Sequence, residues 1–169
     1  MKNRLFILSM LLLLTSASIS HSADRAMDFT LTDINGNDFN LYTQLKEGPV
    51  LIDFWATWCK PCLQALPAVE NLHKKYSEKG LQAVAISIDN PRGKSRVRPF
   101  ILGQGFTFKV LYDTNIEVRP LFGGRDIPYA VLINQKGEIA YRHLGYSSGD
   151  EKKLEEYIIK VLSEAKEEE

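Results

Sequence analysis

Residues 50–62 read VLIDFWATWCKPC, an unbroken apolar run, rich in β-branched and aromatic side chains, that stops at a Cys-Lys-Pro-Cys tetrapeptide. Such a run predicts a central strand buried on both faces. The period then changes. Leu66, Val69, Leu72, His73 and Tyr76 recur at helical spacing up to Gly80, which predicts a helix over 59–79. Pro67 lies inside it, where a kink is expected. LQAVAISID (81–89) is a second apolar run, so strand, helix and strand form a βαβ unit with parallel strands.

Outward from this unit, MDFTLTDINGNDFNLY (27–42) alternates apolar residues on either side of Asn35-Gly36, the pattern of a β-hairpin. PRGKSRVRPFILGQG (91–105), with Arg92, Lys94, Arg96 and Arg98, reads as a solvated loop leading into a short helix capped by Ser95 and ended near Gly103 and Gly105. FTFKVLYD (106–113) gives a short strand, and TNIEVRPLFG (114–123) a short helix starting at Thr114. PYAVLIN and IAYRHLGY, joined by QKGE, form an antiparallel hairpin. The last helix, 149–166, lines up Leu154, Tyr157, Ile158, Val161 and Leu162. A hairpin at each end of a βαβ core predicts an α/β fold: a central mixed sheet flanked by helices, with an N-terminal β-hairpin extension.

The chain has 169 residues, 44% hydrophobic and 25% charged, which suits a single domain with a real core. Lys plus Arg and Asp plus Glu number 21 each, so no net field points to nucleic acid as a partner. The start is unlike the rest. Lys2 and Arg4 precede LFILSMLLLL (5–14), then small and polar residues, the three regions of a secretory signal peptide. Its apolar core is about ten residues, short of the roughly 20 that span a bilayer, so residues 1–22 read as a cleaved signal and an uncleaved anchor is the alternative. Membrane contact is expected only in that second case. Cleavage after Ser22, or after Ser20, leaves a domain over 23–169 and an exported, periplasmic protein, read as a monomer.

Export permits a persistent disulfide between Cys59 and Cys62, the only cysteines. A bridge over two intervening residues removes little unfolded-state entropy, which speaks against a structural staple. Zinc needs about four ligands, and His21, His73 and His143 lack ligand spacing, so no metal is expected. A reactive dithiol fits better. At a helix start, free backbone N–H groups and the helix dipole favour a thiolate at Cys59, and Lys60 adds positive charge. Pro61 is tolerated in the first turn. Cys62, one turn on and shielded, is the resolving thiol. Asp53 lies inside the buried strand, where its proton affinity should rise. Trp55 reads as core and Trp58 as a flat apolar surface beside the thiol. His143, Arg119 and Arg125 read as surface or packing residues.

VLIDFWATWCKPC, with Pro67 five residues after Cys62 and Ile127-Pro128 before YAVLIN, resembles the thioredoxin superfamily. DFTLTDINGNDFNL, FTFKVLYDT and IPYAVLINQKGEIAYRHLGY narrow the resemblance to exported thiol:disulfide interchange proteins of the TlpA/ResA type, over residues 28–162. The resemblance implies a thioredoxin-like fold and thiol-disulfide oxidoreductase activity. It implies that Pro128 is a cis-proline beside the dithiol, and that the Ile127 peptide pairs with an extended substrate segment. It also implies that Asp53 relays the proton of Cys62. TlpA/ResA-type proteins more often carry asparagine there and a glutamate three residues after the second cysteine, a position held here by Ala65.

Expected partners are substrate proteins with disulfides and a membrane thiol as electron donor, with the Cys59–Cys62 pair itself as the only redox group and no cofactor. Reduction of substrates is the favoured direction, with cytochrome c maturation as a specialised form. A thiol peroxidase and a non-enzymatic copper-binding protein are the rival readings; no methionine or histidine completes an obvious copper site.

Overall fold

A computed structural model describes residues 24–166; the signal-peptide expectation for 1–22 lies outside them. The elements in order are β1 (Thr30–Thr32), β2 (Asp38–Asn40), α1 (Leu41–Leu45), β3 (Val50–Trp55), α2 (Lys60–Tyr76), β4 (Gln82–Ser87), α3 (Lys94–Gln104), β5 (Lys109–Tyr112), β6 (Tyr129–Ile133), β7 (Ile139–Leu144) and α4 (Asp150–Lys166). Five strands form one sheet in the order β5-β4-β3-β6-β7. β3 pairs in parallel with β4 and antiparallel with β6, which makes the sheet mixed, as predicted.

All six residues of β3 are buried. Leu51 and Asp53 point to the face covered by the second half of α2 and by α4, where Leu51, Leu132, Leu72, Tyr76, Ile158 and Val161 form one apolar cluster. Val50, Ile52 and Phe54 point the other way and pack with Phe29, Phe39 and Phe122. Each such side chain contributes on the order of 1.5–3 kcal/mol by leaving water. The strand is therefore fixed from both sides.

The N-terminal hairpin is a separate two-stranded sheet. Its turn is built by Asp33, whose carboxylate accepts the N–H groups of Asn35 and Asn37, while Gly36 supplies φ +89°. Ile34 then donates its N–H to Val110 O at 3.0 Å, which covers the β5 edge of the main sheet. Residues 24–26 do the same at the β7 edge through Ile139 N–H to Asp24 O. Both edges are thus shielded from further strand pairing.

Three local expectations are corrected. Ser95 is not a cap: α3 begins one residue earlier, because the Asn90 carbonyl accepts the N–H groups of both Gly93 and Lys94 and starts the turn there. So Lys94 joins Arg96 and Arg98 on the helix. The helix expected from Thr114 reduces to a 3-10 turn over Arg119–Phe122. Asp113 is the reason: its carboxylate accepts from the N–H groups of Glu117, Val118 and Arg119 at 2.8, 3.0 and 3.2 Å, an alternative to helical bonding. The five-residue α1 was not expected at all. Asn40 caps it by accepting the Thr43 N–H, but five residues are too few to show a period.

Candidate active site

The dithiol sits where β3 runs out and α2 begins. Cys59 occupies the N-cap of α2, Lys60 and Pro61 fill its first positions, and the Cys59 Sγ accepts the Cys62 N–H at 3.3 Å. The two sulfurs are joined in a disulfide with Cα atoms 5.2 Å apart. Cys59 retains 5% of its surface and Cys62 none, so only the first is open to attack from outside. A sulfur at this place faces the positive end of a 17-residue helix, which stabilises negative charge there.

The loop between strand and helix is held by a residue that the sequence did not reveal. Asp89, 1% exposed at the end of β4, accepts from the Thr57 N–H at 2.8 Å, the Thr57 hydroxyl at 2.6 Å and the Ser87 hydroxyl at 3.0 Å. These bonds fix the turn that carries Trp58 and Cys59. No sequence signal separates Asp89 from an ordinary strand-end aspartate. Trp58 is 62% exposed beside the disulfide, while Trp55 is fully buried.

Opposite the disulfide, the Ile127–Pro128 peptide is cis, and Ile127 O lies 3.9 Å from Cys59 Sγ. Pro128 is buried and Ile127 half-buried. The Ile127 N–H is held by the side chain of its neighbour Asp126, at 3.1 Å. A segment seeking to pair with Ile127 has to displace that carboxylate.

Behind the disulfide, Asp53 is 3% exposed, and its Oδ2 has no hydrogen-bond partner among the described residues. Burial pushes its carboxyl up to about 8, in the direction read from the sequence. Asp53 opens onto a cavity of about 40 Å³ that Ala65 and Pro128 also line. Cys59, Cys62, Trp58, Ile127 and Pro128 thus gather at one end of the sheet, and Asp53, two residues short of the end of β3, shares its cavity with Pro128. His143, read as a surface or packing residue, lines the same cavity as Asp53, and its Nε2 lies 3.0 Å from Asp150 Oδ2. Alternation along IAYRHLGY puts Tyr141 and His143 on one face, but only the pairing of β7 with β6 shows what they face.

Comparison with known proteins agrees with this geometry: the chain is a thiol-disulfide oxidoreductase on the thioredoxin fold. It belongs to the Redoxin family, whose model matches residues 21–158. Among curated relatives, the thiol-disulfide oxidoreductase ResA of Halalkalibacterium halodurans is 30% identical over 88% of this chain and 81% of its own. ResA of Bacillus subtilis is 34% identical over 72% of this chain and 66% of its own. Among solved structures, a Chlorobium tepidum protein provisionally designated thiol:disulfide interchange protein DsbE superposes with TM-score 0.75 at 31% identity, covering 83% of this chain and 96% of that one. StoA of Bacillus subtilis superposes with TM-score 0.66 at 25% identity, over 79% and 97%.

Proposed function

We propose that the protein reduces disulfides in substrate proteins outside the cytoplasm, in two exchange steps. The Cys59 thiolate attacks a substrate disulfide, forming a mixed disulfide and releasing one substrate sulfur as a thiolate. Asp53 takes the Cys62 proton. The Cys62 thiolate then attacks Cys59 Sγ, the bond from Cys59 to substrate breaks, and the substrate leaves with two electrons while Cys59 and Cys62 become a disulfide. A second dithiol, most simply a membrane thiol donor, returns the electrons. No other redox group enters these steps.

The observation that carries the reading is the position of Cys59: at a helix N-cap, 3.9 Å from the Ile127 carbonyl and next to Pro128. That arrangement lets an extended substrate segment lie along residues 126–128 with its disulfide against the sulfur. Trp58 gives the segment an apolar surface. Asp53 and the Ile127–Pro128 pair are thioredoxin-like rather than oxidase-like features and support the reducing direction, while the reduction potential of the pair sets it. The signal-like pattern of residues 1–22 supports export, and the relatives named thiol-disulfide oxidoreductase ResA support thiol-disulfide exchange as the reaction. Cytochrome c maturation is a specialised form of this reading, tested by offering a haem-free cytochrome with its cysteines oxidised.

Equilibration of the Cys59–Cys62 pair with glutathione or dithiothreitol tests the direction. A potential near or below that of a reducing thioredoxin supports a reductase. A strongly oxidising value, near that of dedicated disulfide donors at about −120 mV, sinks the assignment and turns the same steps into substrate oxidation.

A further inference from the structure

We infer that His143 passes protons between Asp53 and solvent, through the small cavity above Ala130. This rests on the proton-relay reading of Asp53 and deepens it. The register places the three residues in a row. Asp53 of β3 stands opposite Ala130 of β6, and Ala130 stands opposite His143 of β7, all on the sheet face covered by α2 and α4. Neighbouring strands are about 4.8 Å apart, so the row spans ~10 Å from the buried carboxyl to the imidazole. Only the methyl of Ala130 stands between them.

That short side chain leaves the cavity of about 40 Å³ which Asp53 and His143 both line. A water needs about 10–15 Å³ of such space and two or more polar partners; the cavity has the volume, and Asp53 and His143 are among the polar side chains that line it. Ala65 and Leu72 of α2 and Leu154 of α4 line it with apolar groups, and its polar side chains besides Asp53 and His143 are Tyr141, Tyr146, Asp150 and Glu151.

His143 is built for the outer end. Its Nε2 is held by Asp150 Oδ2 at 3.0 Å, and Asp150 is held in turn by the Ser147 N–H at 2.7 Å. The ring's other nitrogen has no protein partner among the described residues. The side chain is 34% exposed, against 3% exposure for Asp53, so it touches both the cavity and water. The other titratable groups around the ring stay in one state near neutral pH. Burial raises the phenols of Tyr141 and Tyr146, and backbone N–H groups hold the carboxyls of Asp150 and Glu151 below their usual range.

In each turnover Asp53, as the carboxylate, takes the Cys62 proton, which passes through water to His143 and out to solvent; the two substrate thiolates, one released at each exchange step, take their protons from solvent. No extra oxidant or reductant is involved. The test is stopped-flow reaction of the full-length dithiol protein with excess glutathione disulfide, from pH 5 to 9, read by Trp58 fluorescence and glutathione release. His143→Gln keeps a hydrogen bond to Asp150 but cannot carry charge. It is expected to slow resolution about tenfold at pH 7 and to recover when free imidazole is added, with the unfolding midpoint unchanged. If Asp53→Asn slows resolution while His143→Gln does not, protons leave Asp53 another way and the inference fails alone. If Asp53→Asn leaves the rate and its pH profile unchanged, the relay reading and this inference fall together.

Discussion

Asp53 and Ala130 stand opposite one another across β3 and β6, so the buried carboxyl faces a methyl group, and one of its oxygens has no hydrogen-bond partner among the described residues. An arrangement of this kind costs stability whenever the carboxyl is ionised. The protein keeps it in the strand that leads to the disulfide, on a cavity shared with Pro128.

The pH dependence of stability follows from that cost. Asp53 titrates at about 8 in the folded chain against 3.8 when unperturbed, so the unfolded chain loses its proton first. The penalty is absent below about pH 4, grows between 4 and 8, and is constant above. At about 1.4 kcal/mol per pH unit its ceiling is ~6 kcal/mol. Asp53→Asn is expected to raise the urea midpoint at pH 8–9 by several kcal/mol equivalent and to leave it unchanged near pH 3. Equal midpoints at both ends would mean that the carboxyl is not desolvated.

Asp89→Ala removes the acceptor of three hydrogen bonds, two of them from Thr57. Stranding buried donors costs roughly 1–3 kcal/mol each when no water replaces the acceptor, so a loss of about 3 kcal/mol is expected in urea unfolding. The rate of disulfide exchange should fall as well, since the turn that positions Cys59 loses its anchor. A stability loss with unaltered exchange would separate Asp89 from the site.

Trp58→Ala should leave stability within about 0.5 kcal/mol, because the ring is 62% exposed. Its effect should fall on large substrates. Reduction of insulin is expected to drop several-fold while the rate with glutathione disulfide stays the same; equal losses on both would place the ring in the chemistry instead.

What was legible in the sequence was what is local. β3, α2 and the Cys59–Cys62 pair announce themselves within 27 residues, through an apolar run, a helical period and a spacing of three. The Asn35-Gly36 turn is equally local. Asp53 could be read because a charge inside an apolar run has few neighbours to choose from. The hidden parts depend on distance. Asp89 meets Thr57 across 32 residues, and His143 meets the cavity of Asp53 only after β3, β6 and β7 are in register. Asp113 shows the converse: a side chain gathering three nearby N–H groups overrode the helical reading of 114–123, and propensity gives no warning of it.

The order of attack by the two cysteines is the central claim, and trapping measures it. Cys62→Ser, reduced and mixed with an oxidised protein substrate, should accumulate a mixed disulfide at Cys59, identified by mass spectrometry of the peptide carrying residues 59–62. Cys59→Ser should accumulate none on the same timescale, since Cys62 is fully buried. An adduct on Cys62 in the second variant, or no adduct on Cys59 in the first, would contradict the mechanism.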